Sequence, residues 1–296
     1  MNQPEEPRPS VLPDPSAIGS SRLDRDVAGP LMTDAFDPAT YWEKRLSQAY
    51  DLGSVGWIGL GDSFNRWMYV VRRLVFKRVV RDCLPDVSVA RVLDVGSGTG
   101  FYLGLWRDLG VRDLSGSDLT AIAVTRLQAS FPDAEIFRLD IGEEEVVMAR
   151  DTYDVVSAMD VLFHIVDDDR YSQAVLNLSR LVRPGGLVIF SENCLDTTYP
   201  VVHQVSRSRT HIDTLLAEAQ LVRVAERPMF FLMSMPIDSD SRLLRRWWSV
   251  VLKIAPRGKW AGWLMGAALC PVELALLRLF RTGPSTKILV CRRSSD

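Results

Sequence analysis

Apolar residues along this chain fall into two rhythms that alternate from about residue 90 onward. Short continuous runs such as 90–95 read as strands buried on both faces. Stretches with an apolar residue every third or fourth position read as helices packed on one side. The pattern predicts strand 90–95 then helix 100–109, strand 112–117 then helix 120–130, and strand 134–139. Strand 153–159, helix 168–182 and strand 186–191 follow, then helix 210–220, strand 221–227 and a last strand over 285–292. Such alternation implies a mostly parallel sheet with right-handed crossovers. Ahead of it, 38–46 reads as a short helix and 53–61 as a glycine- and aromatic-rich loop. Residues 65–82 read as a helix whose apolar face carries Trp67, Val70, Val71, Leu74, Val75 and Val79.

The junction after the first of these strands carries the chemistry. Val92-Leu93-Asp94-Val95-Gly96-Ser97-Gly98-Thr99-Gly100-Phe101 turns a buried strand on three alternating glycines straight into a helix. Glycine there permits positive φ and lets a ligand approach bare backbone, and the helix N-terminus offers unpaired N–H groups to its polar end. A dinucleotide fingerprint requires G-x-G-x-x-G, whereas the spacing here is D-x-G-x-G-x-G.

Three further features lie at compatible spacing. The strand 112–117 runs into Asp118, followed by Leu119. In nucleoside-binding α/β folds an acid at that place accepts hydrogen bonds from ribose hydroxyls. The strand 134–139 runs into Asp140 and Ile141, and Arg183-Pro184-Gly185-Gly186 forms a helix-to-strand turn. Together these motifs resemble the class I S-adenosylmethionine (SAM)-dependent methyltransferases of small-molecule type, over roughly residues 37–235 and 285–293. The resemblance implies an α/β fold with a seven-stranded, mostly parallel Rossmann-like sheet. An N-terminal helical cap and a helical insertion before an antiparallel last strand complete it. It also implies SAM as cofactor. Asp94, Gly96, Ser97, Gly98 and Gly100 would form the loop beside it, Asp118 and Leu119 the ribose site, Asp140 and Ile141 the adenine site. The backbone near Met159 would lie along its methionine moiety.

This reading divides the chain into a Pro-rich tail over 1–33, expected to be disordered and not a secretory signal, and a cap over 34–88. The SAM-binding core follows over 89–236, an apolar helical insertion over 237–283, and the last strand over 284–296. The insertion holds four of the eight tryptophans, Trp247, Trp248, Trp260 and Trp263, among many cations. Pro271, Glu273 and Arg278 argue against a membrane span there. A lid, a homodimer contact and a peripheral membrane contact through 242–280 all remain open. Each suits an apolar acceptor.

Composition narrows the partners. A net charge of −2 supplies no basic field for nucleic acid. The four cysteines, Cys83, Cys194, Cys270 and Cys291, are scattered as in a protein of the reducing cytoplasm, where peripheral attachment to the inner membrane face is compatible with the insertion. The three histidines form no metal-like cluster, so no metal is expected.

Methyl transfer from a sulfonium is an in-line displacement in which the protein positions the reactants. A hydroxyl acceptor also needs a base within hydrogen-bond reach. His164, just after the fourth strand, has an ordinary pKa suited to that role, or else holds the loop beside SAM; His203 is a second candidate. Tyr41 and Trp57 of the cap, Glu192 after the fifth strand and Arg207 are the candidate acceptor contacts. O-methylation of a small apolar lipid, quinone, sugar-bearing or secondary-metabolite acceptor is the leading expectation. A non-catalytic membrane- or partner-binding module and a nicotinamide-dependent oxidoreductase are the alternatives.

Overall fold

A computed structural model describes residues 36–144, 146, 150–201 and 203–295, so the tail expected over 1–33 lies outside the described residues. Helix α1 (Pro38–Gln48) is capped by Asp37, whose carboxylate accepts the N–H groups of Ala39 and Thr40. A short turn of helix, α2 (Leu52–Val55), occupies what the sequence suggests is loop, and α3 (Gly61–Cys83) follows. The Rossmann-like unit then runs β1 (Arg91–Val95), α4 (Phe101–Leu109), β2 (Asp113–Asp118), α5 (Ala121–Ser130), β3 (Glu135–Arg138) and β4 (Tyr153–Ala158). It continues with α6 (Asp168–Leu181), β5 (Val182–Glu192), a small hairpin of β6 (Tyr199–Val201) and β7 (Gln204–Ser206), α7 (Arg209–Glu218) and β8 (Leu221–Pro228). The hairpin has no counterpart in the periodicity, because three-residue strands are too short to show one.

Seven strands form one sheet in the order β3-β2-β1-β4-β5-β9-β8, where β9 (Lys287–Arg293) is antiparallel to both neighbours. The fold is therefore α/β with the mostly parallel sheet expected. Strand order reverses between β1 and β4, and the crevice outside their carboxyl ends is where such sheets take ligands. β5 begins four residues earlier than the apolar run suggests. Val182 already pairs with Tyr153, and the register breaks across Arg183–Gly186 before Leu187 pairs with Val155.

Period-two alternation sends neighbouring strand residues into separate cores. Val92, Val155, Ile189 and Ile288 face the layer containing α3, α4 and α5, while Leu93, Val156, Val188 and Leu289 face α6 and α7. The insertion joins the first layer as α8 (Arg242–Ile254) and α9 (Lys259–Leu279). α9 lies along α3 through small residues. A Cβ at Gly266 would come within 2.4 Å of Trp67 Cδ1, so only glycine allows that approach. By length and composition alone α9 is long and apolar enough to cross a membrane. Within this fold its Glu273 is fully buried and accepts the backbone N–H groups of Phe231, Leu232 (2.7 Å) and Met233 (3.2 Å), fastening the helix to the turn after β8.

Candidate cofactor and acceptor site

The loop between β1 and α4 is held from three sides. Gly96 and Gly100 take φ of +68° and +82°, and a Cβ at Gly100 would lie 2.6 Å from the Phe131 ring, which makes glycine the only fit. Ser97 N–H donates to Ser117 O (2.8 Å), and Gly98 N–H donates to Asp118 Oδ2 (2.8 Å). From the cap, Tyr50 O–H donates to Gly98 O (2.8 Å). Thr99 Oγ1 is buried in this loop without a hydrogen-bond partner. Sequence reasoning missed it, though its place between the second and third glycines marked it.

The acids differ in what holds them. Asp94 is turned into the fold beneath the loop: Trp106 Nε1 donates to Ser157 Oγ (2.9 Å), which donates to Asp94 Oδ1 (2.6 Å). Burial raises its pKa to about 7 against the pull of the Ser157 and Ser97 hydroxyls. Asp118 holds Gly98 with one oxygen and Thr120 N–H (2.9 Å) and O–H (2.8 Å) with the other, and burial raises its pKa too. The Leu119 carbonyl accepts from Arg138 Nε (2.9 Å). Asp140 caps Gly142 N–H and pairs with Arg170 at 2.6 Å, and Ile141 and Met159 are buried.

A further acid, Asp160, stands directly after Met159 at φ +59°. Its carboxylate is bound by Arg72 of α3, by Tyr102 O–H of α4 (3.3 Å) and by Ser191 Oγ of β5 (3.1 Å). Sequence reasoning stopped one residue short of it; a carboxylate at the end of a central strand was the available signal.

His164, His203 and Tyr41 lie side by side in the structure. His164 Nδ1 lies 3.0 Å from the His203 carbonyl oxygen, so Nδ1 carries the proton and Nε2 is the basic nitrogen. The ring meets Trp42 edge-on at 5.0 Å and lies within 23° of the His203 plane, which in turn lies within 20° of Tyr41. This aromatic enclosure desolvates His164 and lowers its pKa to about 4, so it is neutral at physiological pH; burial also lowers His203.

Three other candidate acceptor contacts lie elsewhere. Trp57 packs on Trp248 of α8 at 5.3 Å, with its backbone held by Asn65. Glu192 is fully buried, accepts Tyr171 O–H (3.0 Å) and Asn193 N–H (2.8 Å), and is raised by burial to about 7. Arg207 is also fully buried. Its guanidinium stacks 3.7 Å from the Tyr171 ring centroid and donates to Asp168 (2.9 Å) and the Ile165 carbonyl (2.9 Å). Arg207 thus sits beside the His164 turn through the Ile165 carbonyl, with its Nη1 buried and without a partner, while Glu192 is held within the fold by Tyr171 and Asn193. Among the described residues, no group of three His, Cys, Asp or Glu side chains is arranged to hold a metal.

Known proteins resemble parts of this chain. The ubiquinone biosynthesis O-methyltransferase of Alkalilimnicola ehrlichii is 34% identical over 115 residues, which are 38% of this chain and 45% of that protein. The tRNA U34 carboxymethyltransferase of Pseudoalteromonas atlantica is 33% identical over 103 residues, 33% of this chain and 30% of the relative. The chain thus spans less than half the length of these curated relatives. Among solved structures, the magnesium protoporphyrin IX methyltransferase of Synechocystis PCC 6803 with bound S-adenosylhomocysteine has a TM-score of 0.52 at 15% identity, over 86% of this chain and 97% of that one. The [4+2]-cyclase SpnF has a TM-score of 0.50 at 17% identity, over 75% and 81%. At such identities the structures share the fold alone, and the cyclase shows that one fold serves different reactions. The model of a methyltransferase domain matches residues 64–252. The chain therefore belongs to the methyltransferase-domain family, of the class I SAM-dependent kind, and S-adenosylmethionine is its cofactor.

Proposed function

We propose that this chain transfers the methyl group of SAM to a hydroxyl oxygen of a small, apolar acceptor. One observation carries the reading: a glycine cradle and a neutral, tautomer-fixed His164 follow adjacent strands of the same crevice. The residues fit the cofactor, because the cradle keeps the Thr99 hydroxyl buried and unspent beside the fixed Asp118 carboxylate. When bound, SAM supplies an activated methyl group with its leaving group already in place.

The chain's own residues do the rest. Asp118 and Leu119 hold the ribose, Asp140 and Ile141 the adenine, and Gly96, Ser97, Gly98, Gly100 and Met159 line the methionine end. Asp94 acts through Ser157 as a positioning residue under the loop. His164 takes the acceptor's proton at Nε2, and His203 sets that tautomer through its carbonyl. Being neutral, the imidazole has a free Nε2 lone pair to accept that proton as the oxygen is methylated, and a phenol or quinone precursor gives up its proton more readily than an aliphatic alcohol. The relatives' activity in ubiquinone biosynthesis supports an acceptor of that kind. Tyr41 closes one side of the acceptor space, and Trp57 joins it to the insertion.

In this reading 34–88 is the cap, 89–236 with 284–296 the core, and 237–283 an interface layer to a membrane or a second copy, in a cytoplasmic protein. Neither the nicotinamide nor the non-catalytic alternative has support. Calorimetric titration with S-adenosylhomocysteine, with NAD as control, tests the cofactor site; radiolabelled SAM with a panel of phenols tests transfer. Micromolar binding and labelled product are expected. Binding without transfer to any hydroxyl acceptor overturns the O-methylation.

A further inference from the structure

Helix α9 has two faces of opposite character. The inner face is Gly262, Gly266, Cys270 and Glu273, all buried, with Gly262 and Gly266 set close against α3. The outer face carries Trp260 (77% exposed), Leu264 (59%), Val272 (47%) and Leu279 (76%), with Trp263 (46%) beside them. Steps of four, eight and seven residues, each close to a whole number of turns, align Trp260, Leu264, Val272 and Leu279 as one ridge along a helix roughly 30 Å long. Between Lys259 and Arg278 the sequence holds one Asp, Glu, Lys, Arg or His, namely Glu273, which is buried. Folding leaves this ridge in water.

Charge decides what covers it. From Arg242 to Arg281 there are eight Lys and Arg residues and one acid, the buried Glu273, so the segment carries +7 in a chain of net −2. A second copy meeting the ridge by twofold symmetry would bring two such segments together, and like charges oppose that. A surface that is apolar inside and anionic outside satisfies both ridge and cations, and exposed tryptophans bordered by Lys and Arg suit the headgroup boundary.

We propose that the outer face of α9, with the cations of α8 and of both ends of α9, docks on an anionic lipid bilayer and lies in the interface plane. This refines the proposal that 237–283 is an interface layer and does not depend on methyl transfer. The neighbouring outer face of α3 extends the same surface, with Val70 and Leu74 exposed among Arg66, Arg73 and Arg78.

Cosedimentation of the full chain with phosphatidylglycerol–phosphatidylcholine vesicles, and with phosphatidylcholine alone, tests the docking. Binding to the anionic vesicles is expected, at least ten-fold weaker on pure phosphatidylcholine and weakened again by half-molar salt. The double variant W260S/L264S, altered only at exposed positions, should lose vesicle binding by ten-fold or more while keeping its affinity for S-adenosylhomocysteine. No binding to the anionic vesicles overturns the proposal, as does binding that the double variant retains. Sedimentation velocity showing a dimer that this variant dissociates assigns the face to a second copy and overturns it too. Vesicle binding by a chain that fails to bind S-adenosylhomocysteine leaves the docking standing and removes the cofactor assignment instead.

Discussion

The Glu43 carboxylate of helix α1 accepts the backbone N–H of Ala121, the first residue of α5, at 2.8 Å, and a second N–H from Ile122 at 3.1 Å. A cap residue thus supplies the acceptor for two orphan donors at a core helix's N-terminus, next to Asp118 and Thr120. Replacing Glu43 with Ala should destabilise the fold by about 0.5–2 kcal/mol, as loss of a capping acceptor does, and weaken S-adenosylhomocysteine binding by no more than that. Calorimetry checks it; an unchanged affinity would mean that α1 does not close over the nucleoside.

Asp118 ties the glycine loop to the start of α5, so its removal loosens both. Asp118→Ala should cost about 1.5–3 kcal/mol of S-adenosylhomocysteine affinity, because charge-assisted hydrogen bonds are lost. Asp118→Asn should recover part of that loss, since an amide oxygen still accepts from Gly98 or Thr120. Equal losses for the two variants would show that the charge itself is what the ligand reads.

His164→Ala should lower kcat by about 100-fold, within the usual contribution of a positioned proton acceptor, and change the affinity for S-adenosylhomocysteine little. A loss confined to that affinity makes His164 a neighbour of the cofactor only. Its lowered pKa adds a stability test. The unfolded imidazole titrates near 6.5 and the folded one near 4, so the unfolded state binds more protons between these values. The contribution is fully present above pH 6.5 and is lost as pH falls toward 4, by up to about 3 kcal/mol. Asp94 and Glu192, both raised to about 7, act in the opposite direction over the same window. Urea unfolding of the native chain and of His164→Asn at pH 7 and pH 5 isolates the histidine as the difference between the two slopes.

The Trp106–Ser157–Asp94 chain predicts two unequal effects. Ser157→Ala leaves the Trp106 N–H and the Asp94 carboxylate unpaired in the interior and should cost about 1–3 kcal/mol in a denaturant titration. Asp94→Asn should cost less than about 1 kcal/mol at pH 7, because an amide oxygen still accepts from Ser157 and avoids a buried charge. A larger loss for the amide variant than for Ser157→Ala would place the charge of Asp94 in the loop's support.

What could be read from the sequence was local. The β1 run and its alternating glycines are contiguous, so hydrophobic pattern and backbone need coincide within ten residues. The tautomer of His164 depends on the carbonyl of His203, and the partner of Asp160 is Arg72, 88 residues earlier. Neither pairing leaves a periodic trace. Arg207 shows the same limit: its stacking on Tyr171 and its bond to Asp168 join residues more than thirty positions apart, and its Nη1 is left buried without a partner. Glu273 stands out in the sequence as an acid in an apolar run, but its three amide partners lie about forty residues away.

The position of β9 in the sheet makes its closure depend on long-range pairing. It pairs Val188 with Cys291 and Phe190 with Leu289, contacts that join residues roughly a hundred positions apart, and it alone bridges β5 and β8. Until it arrives, both neighbours are bare sheet edges, open to pairing with another chain. The whole 237–283 segment must be looped out before the interior of the sheet can close. Variants that weaken the hold of β9 should therefore bare β5 and β8 and promote aggregation more than equally destabilising changes in β1, which light scattering during heating checks.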